Sequence, residues 1–433
     1  MLKRKLFTAL LTTSLLYSTP SVFGFADVAH AEATPQRESK RVPAMRNRVY
    51  TQLALAQQTA DAGDKAKGLL ILDEVKERIE QLNSYEKAML WNFYGFMYYG
   101  NDDVTNAIVS FEQVIAQEAI PDTLYLSTTY SLAQLASQQG DYVKSLKFLK
   151  AWQANSGEAL QAPQHMLFAQ VYYQDKKFNK SIQHIDQAIA LAKAKNKLAK
   201  ENWLTLQRAA YYELKQPVMV TKVMEELVRY YQKPEYWLQL SSMYGEIGEE
   251  KKQLATMETA WQAGYITKST DIVMLAQLYL FNQLPYKAAR LLDDAIGDGL
   301  VVAAERHMQL MAQAYVMAKE DDKAIPVLKK GSEIAENGLF DEQLAQTFIN
   351  TEKWRFAITA AKKAIQRGGL TNEGNMHLAL GMAHFNLDEF SEALDAFNQA
   401  KSFNNAKKTA KQWLSYVEKE KQYHERLVMI NTH

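Results

Sequence analysis

Side chains able to do chemistry are few in this chain and poorly spaced for it. Cys is absent, which removes disulfides, thiolate metal sites and cysteine nucleophiles together. His377 and His384 are seven apart, whereas metal-binding pairs on a helix sit four apart, as in H-E-x-x-H; both are expected to pack rather than ligate. His184, followed by Ile185 and Asp186, has no partner in view. Gly264-Tyr265-Ile266-Thr267-Lys268-Ser269-Thr270 has the outline of a phosphate loop's end, but it lacks the Gly before the Lys and any strand ahead of it, so it reads as a connector. No G-x-S-x-G nucleophile elbow is present. The run Lys193, Lys195, Lys197 and Lys200 reads as a solvated helix end. No acid, base and nucleophile converge, so the chain is not expected to be an enzyme and implies no metal and no cofactor. One pattern stands out. A large apolar residue, Ala and then Gln recurs six times, ending at Gln57, Gln134, Gln170, Gln277, Gln313 and Gln346. Amides both donate to and accept from a peptide backbone. Gln is also simply a good helix former.

The elements that would position these residues are helices. The chain has 433 residues, with Gly (18) and Pro (9) scarce against average usage of about 7% and 5%. So few turn-formers imply few tight turns and a helical chain throughout. Lys and Arg (50) balance Asp and Glu (49), which argues against a nucleic-acid binder relying on phosphate neutralisation. The hydrophobic fraction of 47% is ordinary for a packed protein. A search for internal periods finds two clear units: Trp91, Gly95, Tyr98, Ala107 and Phe111, then Leu380, Gly381, His384, Phe390, Ala393, Phe397 and Ala400. Weaker copies recur between them, with small residues Ala133, Ala169, Ala276, Ala312 and Ala345 in register, and an atypical first unit lies around Ala56. Small residues let one helix approach its neighbour closely, and the large ones fill the space created. Pro121, Pro163 and Pro234 fall between units, and Pro217 and Pro285 at turns inside them. Pro326 falls a few residues into a second helix. It is tolerated only in a first turn, so that helix should start late or bend.

These units resemble the tetratricopeptide (TPR) pattern over roughly 49–406. The resemblance implies an all-α, right-handed superhelical solenoid of about ten TPR-like helix pairs, and Trp413, Leu414 and Val417 then mark a C-terminal capping helix in 407–433. In the TPR pattern the residue after the small one faces the concave groove. That places the six Gln there, with Tyr99, Tyr130, Tyr173 and Tyr212 on the same face of their first helices. The implied groove is neutral, amide-rich and aromatic, and suits a protein or peptide segment. It is unlike the carboxylate clamp of chaperone-binding TPR domains, since those positions hold Gln, Tyr, Ser and apolar residues, with Arg306 almost the only cation.

Residues 1–31 read as a secretory signal peptide: Lys3, Arg4 and Lys5, an apolar Leu6 to Leu16, and Ala29-His30-Ala31 before the cut. Residues 32–48 read as a flexible lead-in. A periplasmic protein with no transmembrane segment in the mature chain is expected. The leader, the Trp91-Asn92-Phe93-Tyr94-Gly95 helix after Tyr85-Glu86-Lys87 and ten degenerate repeats are similar to exported TPR proteins associated with the TonB energy-transduction system of marine gammaproteobacteria. That resemblance implies an accessory role in TonB-dependent uptake, with inner-membrane TonB-system components as partners. A TPR accessory of envelope, pilus or outer-membrane assembly, or a peptidoglycan- or glycan-binding solenoid using the groove tyrosines, is the alternative.

Overall fold

The structure, a computed structural model, describes residues 41–431, so the signal peptide expected over 1–31 falls outside the described residues. Among them the regular elements are helices, with no strand. The chain divides into two compact units, one up to Leu191 and one from Ala192. The first holds α1 (Asn47–Asp61), α2 (Lys65–Lys76), α3 (Ser84–Gly100), α4 (Val104–Ile115), α5 (Asp122–Gln138), α6 (Tyr142–Ser156), α7 (Ala162–Gln174) and most of α8 (Phe178–Ala194). The second holds α9 (Glu201–Glu213), α10 (Pro217–Tyr231), α11 (Pro234–Glu246), α12 (Glu250–Gln262), α13 (Ser269–Phe281), α14 (Pro285–Gly297), α15 (Glu305–Met317), α16 (Asp321–Ile334), α17 (Leu339–Asn350), α18 (Trp354–Arg367), α19 (Glu373–Phe385), α20 (Phe390–Ala400) and α21 (Lys407–Asn431). Odd-numbered helices up to α19 open a pair and even-numbered ones close it.

What makes eight of the ten pairs close is a buried small residue on each helix, twelve apart in sequence. These are Ala56 and Gly68, Gly95 and Ala107, Ala133 and Ser145, Ala169 and Ser181 in the first unit, and Ala276 and Ala288, Ala312 and Ala324, Ala345 and Ala357, Gly381 and Ala393 in the second. Where the second member is Ser, its hydroxyl donates to the first member's carbonyl: Ser145 to Ala133 and Ser181 to Ala169, both at 2.7 Å. Two units press a Phe ring onto a Gly. A Cβ on Gly95 would lie 2.5 Å from Phe111, and one on Gly381 2.6 Å from Phe397.

Tight turns are more numerous than the scarcity of Gly and Pro implies. Each pair is joined through a residue at positive φ two positions before the second helix, and only Gly63, Gly140 and Gly248 of these are glycine. Asp102, Lys176, Lys215, Gln283, Lys319, Glu352 and Asp388 hold the left-handed conformation instead, at φ between 55° and 61°. A single such residue costs of order 1–2 kcal/mol, and the burial of the pair it closes offsets that. Asp64, Asp103 and Asp141 then cap the second helices by accepting from the backbone N–H three residues on.

Pro326 departs from expectation. Helix α16 does not start late; it opens at Asp321 and keeps Pro326 inside, five residues in. The missing N–H removes the partner that the Asp322 carbonyl would have had in the helix.

The lead-in is also shorter than expected. Helix α1 opens at Asn47, and Arg46 is pinned: its guanidinium and backbone N–H all donate to the fully buried Glu86 of α3, at 2.6–2.9 Å. At the other end, α21 lays Trp413 flat on Phe397 (5.4 Å, 9°) and buries Val417, which covers the last pair. No helix among the described residues is long and apolar enough to cross a membrane.

Candidate functional site

In the first unit the opening helices carry the amide and tyrosine positions. On α5, Tyr130 and Gln134 are four apart and so share a face; both are half-buried. Tyr130 leans on Trp152 (ring centroids 5.3 Å), and burial pushes its phenol above the ordinary value, so its ring is largely spent on packing. On α7, Gln170 is exposed and Tyr173 half-buried, with the Tyr173 ring edge-on to Phe178. Gln57 turns along its own helix and donates to Asp61 at 2.9 Å. Tyr99 is half-buried on α3.

The second unit presents Gln277, Gln313 and Gln346 exposed on α13, α15 and α17, and Tyr212 exposed on α9. Gln346 donates to Asn350 one turn on, at 3.0 Å. Two cations of the opening helices are engaged. Arg306 donates to His307 at 3.0 Å, and Arg208, which occupies the position usually held by a small residue, donates to Gln239 at 2.5 Å. What the amide positions offer chemically, within each unit, is neutral donors and acceptors on partly open helix faces.

Three features had no signal in the spacing. First, His184 does have a partner. Its Nδ1 lies 3.0 Å from Nδ1 of His165 across α7 and α8, and its ring stacks on Phe168 at 4.8 Å and 4°. Burial, with His165 beside it, lowers His184 to about 4, and burial lowers His165 too. Two neutral rings therefore share one proton in a hydrogen bond. The other packing histidines are held singly: His384 against Glu389 at 2.6 Å, His377 against the Phe403 ring. Among the described residues no three His, Asp or Glu side chains gather as metal ligands.

Second, successive pairs of the second unit are stapled by a Tyr on the opening helix donating to an acid on the preceding closing helix. Tyr244 bonds Glu225 at 2.7 Å, Tyr279 bonds Glu258 at 3.0 Å and Tyr315 bonds Asp293 at 2.7 Å. Burial first and the neighbouring carboxylate second raise these phenols, Tyr244 to about 12. The acid stands 19–22 residues before its Tyr, a spacing legible only once the pairs are assembled.

Third, two clefts open between closing helices of the second unit. One, of about 340 Å³, lies between α14 and α16 over Met308 and Met311 of α15. The other, of about 250 Å³, lies between α16 and α18 over Leu344 and Phe348 of α17. At 100° per residue, Gln313 and Gln346 point to nearly the opposite side of α15 and α17 from these clefts.

No known family model matches the chain, and no curated protein matches it. Solved structures it is similar to include YrrB, a TPR protein with an unusual peptide-binding site (12% identity, 43% of this chain and 95% of that one, TM-score 0.36). MamA is another (20% identity, 40% and 96%, TM-score 0.33), as is the TPR2AB domain of yeast Sti1 in complex with pHSP90 (16%, 59% and 98%, TM-score 0.27). The class of protein rests on this chain's own geometry: an all-α repeat protein of TPR-like helix pairs, closed by a C-terminal capping helix.

Proposed function

We propose that this chain is an exported scaffold whose opening helices hold a segment of a partner protein. The observation that carries the reading is the contrast on α5 and α7. Leu132, Ala133, Phe168 and Ala169 are buried, while Gln134 and Tyr173 remain partly open and Gln170 fully so. Amides kept at one register on an accessible face suit a partner's backbone, which needs both donors and acceptors. Export rests on the basic, apolar and small-residue sequence of residues 1–31, and the mature protein would begin at Glu32 in the periplasm. A role in TonB-dependent uptake, with inner-membrane TonB components as partners, rests on the likeness of the whole chain to exported TPR proteins of that system.

The test is a triple variant, Gln134→Ala, Gln170→Ala and Tyr173→Ala, in capture of partners from periplasmic extract. Each backbone hydrogen bond contributes about 0.5–1.5 kcal/mol, so capture should fall more than tenfold. Gln→Ala costs a helix nothing in propensity, so melting of the double variant Gln134→Ala and Gln170→Ala should barely move, and the triple variant should lose only the edge contact of Tyr173 with Phe178. Unchanged capture by a folded variant would remove the partner from this face, and lost folding would assign these residues to packing.

A further inference from the structure

The cleft between α16 and α18 is built differently from a simple gap between helices. Its floor holds Asp341, only 1% exposed. Asp341 Oδ1 accepts from Ser332 at 2.6 Å and Oδ2 from Arg367 at 2.8 Å. Ser332 is itself buried. Arg367 also donates to the backbone carbonyls of Ser332 (2.8 Å) and Ala335, closing the C-terminal turn of α16. This much is structural and charge-neutral: one carboxylate, one guanidinium.

Lys363 is surplus to that balance. Its ammonium sits 2.6 Å from Ser332 Oγ and 3.2 Å from Asp341 Oδ1, yet its side chain is half exposed. An ammonium has three donors, and those two contacts leave one for the cleft. Lys329 and Glu333 complete the charged lining. The lining charges balance, Lys329 and Lys363 against Glu333 and Asp341, but Asp341 is already paired with Arg367 from outside the lining, so the half-exposed Lys363 ammonium remains an accessible cation in the cleft. Apart from Thr359 the rest is apolar: Leu344, Ala360 and two Phe rings, Phe348 buried and Phe356 59% exposed, with centroids 5.4 Å apart. A large exposed ring at the mouth of a cleft that holds an accessible ammonium asks for an occupant with two parts.

The geometry points to this cleft as a binding site for a carboxylate carried on one bulky apolar group, with the carboxylate on Lys363 and the apolar group against Phe348 and Phe356. A cleft of about 250 Å³ is below the usual 300–1,000 Å³ of drug-sized sites, so it takes a single residue-sized group. The C-terminal residue of a partner chain and a free aromatic or aliphatic acid both have that chemistry. The site is distinct from the amide positions tested above on α5 and α7, which belong to the first unit, so either can fail alone.

The probes are a hexapeptide ending in Phe with a free carboxylate, the same peptide amidated, and N-acetylphenylalanine, titrated calorimetrically into the full chain. The free-acid peptide should bind at least tenfold more tightly than the amide. Lys363→Met, which keeps the stem and leaves Asp341 paired with Arg367, should weaken the acid at least tenfold and leave the amide unchanged. Phe356→Ala, at an exposed position, should weaken the acid several-fold without loss of fold and keeps the test open if Lys363→Met disturbs folding. N-acetylphenylalanine matching the peptide would assign the site to small acids; the peptide exceeding it tenfold would assign it to a chain terminus. Equal binding of acid and amide, or no acid binding at millimolar concentration, overturns the proposal.

Discussion

Replacing Glu86 with Gln tests whether the first unit is anchored through one buried carboxylate. Glu86 has no exposed surface and accepts from the Arg46 backbone and guanidinium and from the Asn83 N–H. The Arg46 guanidinium is the largest cause holding its carboxyl down, from an ordinary 4.5 to about 2. At about 1.4 kcal/mol per pKa unit that drop corresponds to roughly 3 kcal/mol. The Arg46 side chain is 56% exposed, so solvent screening reduces the figure to about 2 kcal/mol. The folded-state pKa is lowered, so this stability is fully present above pH 4.5 and drains away as pH falls towards 2. The amide of Glu86→Gln would turn an NH₂ towards the Arg46 or Asn83 donors, which an ionised carboxylate never does. Thermal melting, with hydrogen exchange on α1 to α3 to identify the unit, should show its transition about 4–8 °C lower at pH 7. By pH 3 the gap to wild type should shrink to less than half. A gap under about 0.5 kcal/mol at pH 7, or one that does not change with pH, would refute the anchoring argument.

Two further outcomes follow from the packing. Gly381→Ala places a Cβ 2.6 Å from the ring of Phe397, which is fully buried and cannot yield. Overpacking of about 1–3 kcal/mol outweighs the helix-propensity gain of about 0.5–1 kcal/mol, so urea denaturation should show a net loss, and a gain would mean the ring has room to move. His184, lowered by burial and by His165 to about 4 from 6.5, takes up its proton more readily unfolded. The first unit should therefore lose stability as pH falls from 6.5 to 4; His184→Phe should flatten that slope by about 1–2 kcal/mol, and an unchanged slope would mean the pair does not titrate on unfolding.

The pairing of helices was legible because its determinants are local. Gly381 and Ala393, or Ala133 and Ser145, meet inside one helix pair, so their twelve-residue spacing survives even where the rest of the repeat has degenerated. Aromatic–glycine contacts such as Phe397 on Gly381 add a sixteen-residue spacing of the same kind. Pro326 was expected to delay or bend its helix, and the helix does not start late although the missing N–H carries a cost. In α16, burial of Ala324, Ile325, Val327 and Leu328 around it outweighs that cost. The turns misled for a related reason: a left-handed Lys215 or Glu352 is intrinsically unfavourable, but the closing of a packed pair outweighs it. Of the amide positions, the register was visible and the side-chain commitments were not. Nothing in the order of residues says that Gln57 bonds Asp61 while Gln170 stays exposed.

By itself, then, the sequence determined the helical repeat and its register, since burial of an apolar stripe at helical period needs only neighbours along the chain. Tertiary structure alone decided which polar groups became partners. Arg46 meets Glu86 forty residues on, Lys363 meets Ser332 thirty-one residues back, and Tyr315 meets Asp293 in the preceding pair. The first two obey no period because each joins positions where degenerate repeats differ, and the Tyr–acid contact recurs from pair to pair but links side chains whose closeness only the stacking of pairs creates. A buried charge or hydroxyl takes whatever complementary group the packing brings within hydrogen-bond distance.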